Sequence, residues 1–223
     1  LNDVVMNNSP IDIDKLIEGT NEILTANRNS LQLFDMLHSM RQFDDLTYVH
    51  SVNVALIASI LGQWLKFSEK DIRILTISGL LHDIGKIMIP NEILTKPGKL
   101  TVAEYNIMKQ HVNFGYEKVK NQNIDIRIKE ACLLHHEKCD GTGYPFGLKS
   151  DHIPAVAKII AIADVYDAMT SARVYRGALC PFEVIDTMYK DAFTKFEPEY
   201  ILPFLKNVAS SYINNDVRLS DGR

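Results

Sequence analysis

The run Ile72-Arg-Ile-Leu-Thr-Ile-Ser-Gly-Leu-Leu-His-Asp-Ile-Gly-Lys86 places a histidine and an aspartate at the end of an apolar segment. Ser68, three residues before an aspartate, predicts a capping box that begins a helix, and Gly85 predicts the C-terminal stop of that helix. We therefore expect His82 and Asp83 on the last turn of a buried helix. These side chains are costly in an apolar setting without a partner. A bound cation is one explanation, and a hydrogen-bonded core histidine beside a terminal aspartate is the other.

Composition and charge limit the classes of function that the chain can have. Its 223 residues include enough apolar residues for a real core, and its net charge of -4 argues against a general nucleic-acid binder. The cysteines, Cys132, Cys139 and Cys180, lack zinc-type spacing, which favours a reduced cytoplasmic protein without disulfides. No apolar run has the length of a membrane span. A small anionic ligand held by local arginines stays compatible with this composition.

Apolar helical segments make up most of the chain, and no alternating strand and helix pattern is visible, so we predict an all-α fold. Residues 11–27 form a predicted amphipathic lead-in helix, and a second helix follows Ser30. Further candidate ligands lie at or beside later helices: His50 within 46–65, His111 after the capping box of Thr101 and Glu104, His135 and His136 at the end of 124–137, and Asp164 within 155–169.

Seven imidazole and carboxylate side chains therefore stand out as candidate metal ligands. Mixed donors without thiolates suit iron, manganese, nickel or zinc better than calcium or a structural zinc. Because seven donors exceed the needs of one tetrahedral ion, two metals that share Asp83 would use them all. Such a pair lowers the pKa of a bound water and clamps both oxygens of an in-line phosphoryl displacement, which points to phosphoester hydrolysis. The set is His50, His82, Asp83, His111, His135, His136 and Asp164.

Two motifs carry a specific resemblance to a known family. The first is His82-Asp-Ile-Gly-Lys86, and the second, more discriminating one is His135-His-Glu-Lys-Cys-Asp-Gly-Thr-Gly-Tyr-Pro145. Together they resemble the HD-GYP family, a subgroup of the HD superfamily of metal-dependent phosphohydrolases, from about Leu31 to about Tyr212. The resemblance implies an HD-domain helical bundle with additional C-terminal helices. It also implies hydrolysis of the bacterial second messenger cyclic di-GMP, with the linear dinucleotide pGpG as the expected first product.

The resemblance implies roles for individual residues as well. The seven candidates match the family's metal ligands, with Asp83 shared by both metals and essential for catalysis. Lys86 matches a lysine close to the scissile phosphate, where it helps the departing oxygen. Tyr144 belongs to the loop beside the substrate. Arg173 and Arg176 match basic positions that face the nucleotide phosphates, a role that suits the paired donors of guanidinium groups.

One departure from the family pattern concerns the number of metals. Members of a three-metal subtype carry a glutamate one helical turn before the first histidine, and here that position is Leu46. Because leucine cannot bind a metal, we expect two divalent ions, iron or manganese first, with nickel or zinc as alternatives.

Glu137 is expected to support a ligand histidine, and Asp167 to cap a helix or pair with an arginine.

The predicted domain organisation has three parts. Residues 1–30 form a linker and the lead-in helix, which would suit a homodimer contact, and residues 31–212 form the phosphohydrolase domain. Residues 213–223 form a truncated C-terminal segment, because 217–223 resemble a strand and a hairpin turn without the return strand. Since the chain also begins at Leu1 rather than Met, we expect a fragment with sensor or regulatory domains beside it.

Two alternative functions stay open at this point. A cyclic-dinucleotide receptor would keep the ligand set but turn over negligibly, and a tight unhydrolysed complex would favour it. A hydrolase of another cyclic dinucleotide or of a nucleoside phosphate would keep the chemistry and change the substrate. A competition assay would separate these substrates.

Overall fold

The protein is described by a computed structural model for residues 46–171 and 179–212, and this part is all-α without a strand, as predicted. Two short 3-10 helices, Ile84–Met88 and Ser150–His152, join the α-helices. The α-helices are α1 (Leu46–Trp64), α2 (Glu69–Leu81), α3 (Asn91–Leu94), α4 (Val102–Met108), α5 (His111–Val119), α6 (Ile126–Leu134), α7 (Ala155–Thr170), α8 (Pro181–Asp191) and α9 (Pro198–Ser211). The predicted lead-in helix and the segment 213–223 lie outside the described residues.

The backbones of helices α1 and α2 are in close contact. Residues 54–58 of α1 are all fully buried. A Cβ atom on Gly79 of α2 would lie 2.4 Å from Cα of Ala55, so the absence of a side chain at this position is what permits the contact. The contact brings His50 to the end of α2, where its ring centroid lies 5.3 Å from that of His82.

The helix that precedes the first motif ends earlier than predicted. Ser68 is its N-cap and accepts a hydrogen bond from a backbone N–H three residues later, as the capping signal predicted. However, α2 ends at Leu81 with His82 as its C-cap, and the 3-10 helix Ile84–Met88 follows directly. Gly85 therefore lies inside the 3-10 helix, and the prediction that it stops α2 is wrong.

Gly85 has a different role, which is a close crossing with α5. A Cβ atom on Gly85 would lie 2.0 Å from the backbone oxygen of His111 and 2.4 Å from the backbone nitrogen of Gly115. Gly115 thus lies at a close backbone approach to the 3-10 helix. Because the 3-10 helix packs against α5, the side chains of the first motif and of His111 lie close together.

Helix α7 is the central element of the core. It packs against α1, α2 and α6, the helices that contain or precede candidate metal ligands, and also against α8 and α9. Ile159, Ile160 and Ile162 are fully buried, and the Tyr166 ring contacts Phe204 of α9 edge to face at 5.1 Å. Burying each such aliphatic side chain contributes about 1.5–3 kcal/mol. This packing fixes the position of the two aspartates that α7 carries.

Helices α8 and α9 complete the described core at its C-terminal end. Each has a proline in its first turn, Pro181 and Pro198, where the fixed φ of proline favours the helix start. Cys180 precedes α8 without a side-chain cap bond, so this helix start lacks the stabilisation that a serine would give. No helix in the described ranges is both long and apolar enough to cross a membrane.

Candidate metal centre

Asp83 lies in the middle of a cluster of imidazoles from separate parts of the chain. Its Oδ2 is 3.2 Å from Nε2 of His82 and 3.5 Å from Nε2 of His50. Its Oδ1 is 3.3 Å from Nε2 of His111 and 3.8 Å from Nε2 of His135. The two carboxylate oxygens thus face different pairs of nitrogens, which is the arrangement that a carboxylate shared by two cations requires.

Backbone hydrogen bonds orient three of these imidazoles. In His82, His111 and His135, Nδ1 donates to a carbonyl oxygen three or four residues earlier, at 2.7, 2.7 and 2.9 Å. The Nε2 lone pairs therefore point into the cluster. These three Nε2 atoms and Oδ1 of Asp83 are buried and have no hydrogen-bond partner in the described part of the chain. An unpaired buried polar atom costs about 1–3 kcal/mol, so bound cations that accept these lone pairs would explain them.

Asp164 and His136 extend the cluster on its open side. Asp164 Oδ1 is 3.2 Å from Nε2 of His50, and Asp164 Oδ2 is 3.8 Å from Nδ1 of His136. The His136 side chain is 25% exposed, whereas the side chains of His82 and His135 are fully buried. A ligand would therefore reach the cluster from the side of His136 and Asp164.

The cluster contains two overlapping groups of candidate donors. Within each group the donor atoms lie within 4.8 Å of one another, and Asp83 belongs to both. Nitrogen and carboxylate donors without sulfur suit first-row transition-metal ions, so the residues fit a metal centre. One group is Asp83, His111, His135 and His136, and the other is His50, His82 and Asp83.

His50 is oriented by a carboxylate instead of a backbone carbonyl. Its Nδ1 lies 2.7 Å from Oδ2 of Asp167, and Asn53 Nδ2 donates to Oδ1 of Asp167 at 2.9 Å. A carboxylate in this position fixes the imidazole ring and raises its basicity as a ligand. Support of His50 is a role for Asp167 beyond the cap or arginine partner that we predicted from the sequence.

The charges of the cluster favour ionised carboxylates. Burial opposes the ionisation of Asp83, but His82 and Lys86 nearby hold its pKa well below the usual value. Burial opposes the ionisation of Asp164 as well, and the hydrogen bond with His50 holds its pKa below the usual value. Burial lowers the pKa of His50, yet its hydrogen bonds to Asp164 and Asp167 outweigh this and raise it well above the usual value. This concentration of carboxylates is suited to a divalent cation.

Three other imidazoles favour the neutral form that binds metals. Burial lowers the pKa of His111 and holds that of His135 well below its usual value. Burial lowers the pKa of His136 to about 3. Since a metal competes with protons for imidazole nitrogens, these candidate ligands would require no deprotonation at neutral pH.

Lys86 and Tyr144 border the open side of the cluster. The Lys86 ammonium forms an ion pair with Oδ2 of Asp83, and its side chain is 25% exposed. The Tyr144 ring stacks on His136, with centroids 4.7 Å apart and planes inclined by 28°. A ligand entering from this side would meet both the ammonium and the tyrosine ring.

A buried carboxylate holds the loop that carries Tyr144. Glu137 is 4% exposed, and its carboxylate accepts hydrogen bonds from the backbone N–H groups of residues 146–148 at 2.7, 3.1 and 2.9 Å. A Cβ atom on Gly143 would lie 2.5 Å from Cα of Glu137, so the loop folds back tightly on the start of the second motif. The carboxylate of Glu137 thus orders this loop, whereas we predicted that it supports a ligand histidine.

Most of the site residues predicted from the sequence lie together in the structure, and the others lie outside the described residues. All seven ligand candidates converge, and Lys86 and Tyr144 lie beside them; their roles stay predictions. Arg173 and Arg176 lie outside the described residues, as does the side chain of Leu46. Asn53 is not among the residues predicted from the sequence, although its position one helical turn after His50 was a usable signal.

The chain is thus an all-α domain whose helices and helix ends gather histidines and aspartates into a buried centre that could hold metal ions. The model of the HD domain family matches residues 16–200, and the chain therefore belongs to this family. The resemblance to the HD-GYP group that the two motifs carry is confirmed by the family model and the curated relatives.

Curated relatives and a solved structure share most of the chain. A cyclic di-GMP phosphodiesterase of Pseudomonas aeruginosa is 37% identical over 185 residues, which are 82% of this chain and 44% of that protein. A 3'3'-cGAMP-specific phosphodiesterase of Vibrio cholerae is 32% identical over 188 residues, 82% of this chain and 36% of that protein. The chain thus spans less than half of either relative. An HDG"Y"P protein from Bdellovibrio bacteriovorus has the same fold, with a TM-score of 0.73 at 19% identity over 93% of this chain and 67% of that one.

Proposed function

We propose that the protein is a metal-dependent phosphodiesterase that hydrolyses cyclic di-GMP to the linear dinucleotide pGpG. The observation that carries the proposal is the placement of Asp83 between two sets of inward-pointing imidazole nitrogens in a cluster open on one side. Membership of the HD domain family supports metal-dependent hydrolysis of a phosphoester. The relative from Pseudomonas aeruginosa supports the choice of substrate.

The donor set suits two divalent transition-metal ions, iron or manganese first, with nickel or zinc as alternatives. His50 and His82 would hold one ion and His111, His135 and His136 the other, with Asp83 shared and Asp164 on the open side. When bound, such a pair activates water and stabilises the charge that develops on phosphoryl oxygens.

The residues on the open side would bind and orient the substrate. The Lys86 ammonium would donate to an oxygen of the scissile phosphate and stabilise the departing oxygen. The Tyr144 ring would form one wall of the substrate site. We also propose that Arg173 and Arg176, which lie outside the described residues, contact the nucleotide phosphates.

Several features of the whole protein stay predictions. These are a cytoplasmic location, a homodimer, flanking sensor or regulatory domains, and the division into residues 1–30, 31–212 and 213–223. Sedimentation of the chain with and without residues 1–30 would test the dimer, because loss of the lead-in helix should then give a monomer.

A product assay tests the proposed function. The protein is loaded anaerobically with manganese or ferrous iron, cyclic di-GMP is added, and the products are separated by chromatography. The metal content of each variant is measured in parallel. The parent should form pGpG, and Asp83→Ala should form none and bind less metal. Asp186→Ala, a control on α8, should behave as the parent does.

Two outcomes would contradict the proposal. Full activity in Asp83→Ala would exclude the shared carboxylate from the chemistry. A tight complex of cyclic di-GMP with the metal-loaded parent and no product would favour the receptor.

A further inference from the structure

Two tyrosines and a lysine form a cluster at the rim of the candidate metal centre. Tyr105 and Lys109 are four residues apart at the end of α4, a spacing that places them on one helix face. The Lys109 ammonium lies 5.2 Å from the centroid of the Tyr105 ring and 5.9 Å from that of the Tyr144 ring. The two rings are 6.4 Å apart and nearly perpendicular, at 81°. We call Tyr105, Lys109 and Tyr144 the rim cluster.

The rim cluster begins where the metal centre is open. Tyr144 stacks on His136, whose side chain is 25% exposed, and its ring centroid lies 6.5 Å from that of His111. Tyr105 and Lys109 are thus one ring further from the candidate ligands than Tyr144 is. A substrate whose phosphate lies at the metal centre would extend another part of itself over this cluster.

The chemical groups of the rim cluster are available to a ligand. Tyr105 is 48% exposed, and α4 contributes no buried residue to the core. Within residues 46–171 and 179–212, no carboxylate forms an ion pair with the Lys109 ammonium, which lies over the two rings. A single exposed tyrosine is ordinary. An exposed ring that holds an ammonium without an anionic partner, beside a candidate active site, indicates a ligand subsite.

The chemistry of the cluster matches a guanine base. Aromatic rings stack on nucleobases, and an ammonium donates hydrogen bonds but accepts none. Guanine presents two acceptors, O6 and N7, on one edge, whereas adenine presents one acceptor and an amino donor there. The Lys109 ammonium would therefore bind guanine with two hydrogen bonds and would face the amino group of adenine.

We propose that Tyr105 and Lys109 form, with Tyr144, a nucleobase subsite that holds one base of the substrate and selects guanine over adenine. The inference rests on the proposed function, because the substrate class comes from it. The candidate metal ligands act on a phosphate that all cyclic dinucleotides share, so they cannot distinguish bases. The rim cluster supplies a group that can.

The test compares cyclic di-GMP with cyclic di-AMP as substrates of the metal-loaded protein. Lys109→Met should lower the ratio of kcat/KM for cyclic di-GMP to that for cyclic di-AMP by about tenfold, the discrimination typical of such a base contact. Lys109→Arg, which can also donate to O6 and N7, should keep the ratio. Tyr105→Ala should lower kcat/KM for both substrates by about tenfold through lost stacking.

Two controls separate the subsite from general effects. Lys206→Met removes an exposed lysine on α9, which packs against α1, α7 and α8, and it should match the parent. Bis(p-nitrophenyl) phosphate has no base, so Lys109→Met should lower its hydrolysis less than that of cyclic di-GMP. If Lys109→Met leaves the ratio of the two kcat/KM values unchanged, the inference is overturned. An unchanged ratio with equal losses for both dinucleotides would mean that Lys109 contacts a phosphate.

Equilibrium dialysis of the chelator-treated protein with each dinucleotide gives a readout that needs no turnover. A preference for cyclic di-GMP that Lys109→Met removes would support the subsite even if the parent hydrolysed neither compound, and only the proposed function would then fail. If the parent hydrolyses cyclic di-GMP and Lys109→Met has the same base preference as the parent, only the subsite is overturned. Absence of both binding and hydrolysis in the parent would overturn both.

Discussion

Oδ2 of Asp167 lies 2.7 Å from Nδ1 of His50, across 117 positions of the sequence. The contact joins α7 to α1 and leaves Nε2 of His50 facing the carboxylates of Asp83 and Asp164. Asn53 donates to the other oxygen of Asp167, so the carboxylate itself is held in place. The orientation of one candidate ligand therefore depends on a residue that does not belong to the ligand set.

The first prediction concerns Asp167→Asn. The amide keeps the volume but presents a weaker acceptor, and in one orientation a donor, to His50. Loss of such support typically lowers metal affinity by about 10–100-fold. Competition of the protein with a chelator for manganese measures the change. Asp186→Asn, in an exposed i,i+4 pair with Lys190 on α8, is the matched control and should bind metal as the parent does. Equal affinities in the two variants would contradict the role of Asp167.

The second prediction concerns Glu137→Gln. Three backbone N–H groups of residues 146–148 share this carboxylate, and glutamine offers only one acceptor oxygen. Buried donors left without a partner cost about 1–3 kcal/mol, so the free energy of unfolding should fall by that amount. Amide hydrogen exchange should rise in residues 144–148 in particular. Glu199→Gln, at an exposed position on α9, should change neither measurement. Unaltered exchange in the loop of Glu137→Gln would refute the assignment.

The convergence of the candidate ligands could be anticipated from the sequence because each ligand occupies a recognisable place. His82 and Asp83 follow an apolar helix, His135 and His136 end another, and Asp164 interrupts the most apolar helix of the chain. Polar side chains at such buried positions need a hydrogen-bond, charge or metal partner. Other buried polar side chains can meet this requirement, so these residues are expected to cluster. The all-α fold followed from the same apolar segments.

Contacts made by the backbone could not be anticipated in this way. The partners of Glu137 are amide groups, which every residue except proline carries, so no residue type signals them. The end of α2 was misplaced because Gly85 is a common helix stop, whereas its lack of a side chain here serves the crossing with α5. The contact of Lys109 with Tyr144 joins α4 to a distant loop through tertiary structure alone.

The third prediction concerns Gly85→Ala. The added Cβ would lie 2.0 Å from the backbone oxygen of His111, and backbone cannot move aside as a flexible side chain can. We expect the free energy of unfolding to fall by about 1–3 kcal/mol, as for other overpacked sites, and metal affinity to fall because His111 shifts. Urea denaturation and chelator competition measure the two effects. In Gly62→Ala the new atom meets Leu75 Cδ1 at 2.8 Å, a flexible side-chain end, so a smaller loss is expected. A loss in Gly85→Ala no larger than in Gly62→Ala would count against the crossing.

The fourth prediction concerns the reactivity of the cysteines. Cys132 is fully buried, its thiol donates to the backbone oxygen of Leu81 at 3.3 Å, and burial raises its pKa to about 12. Cys180 is exposed. Because the thiolate is the reactive form, iodoacetamide at pH 8 should alkylate Cys180 in the folded protein and leave Cys132 unmodified, as peptide mass spectrometry would show. In urea both should react. Alkylation of both at one rate in the folded protein would contradict the burial of Cys132.

The same shift of the Cys132 pKa determines the sign of a pH effect on stability. Between the unfolded pKa, about 8.5, and the folded value of about 12, the native thiol keeps a proton that the unfolded chain releases. The native state then binds more protons, so the free energy of unfolding falls as the pH rises, by at most about 1.4 kcal/mol per unit from this group. Below pH 8 the contribution is fully present. Cys132→Ala removes the titrating group, and its denaturation curves from pH 8 to 10 should decline less steeply than those of the parent. Parallel declines would mean that Cys132 titrates alike in both states.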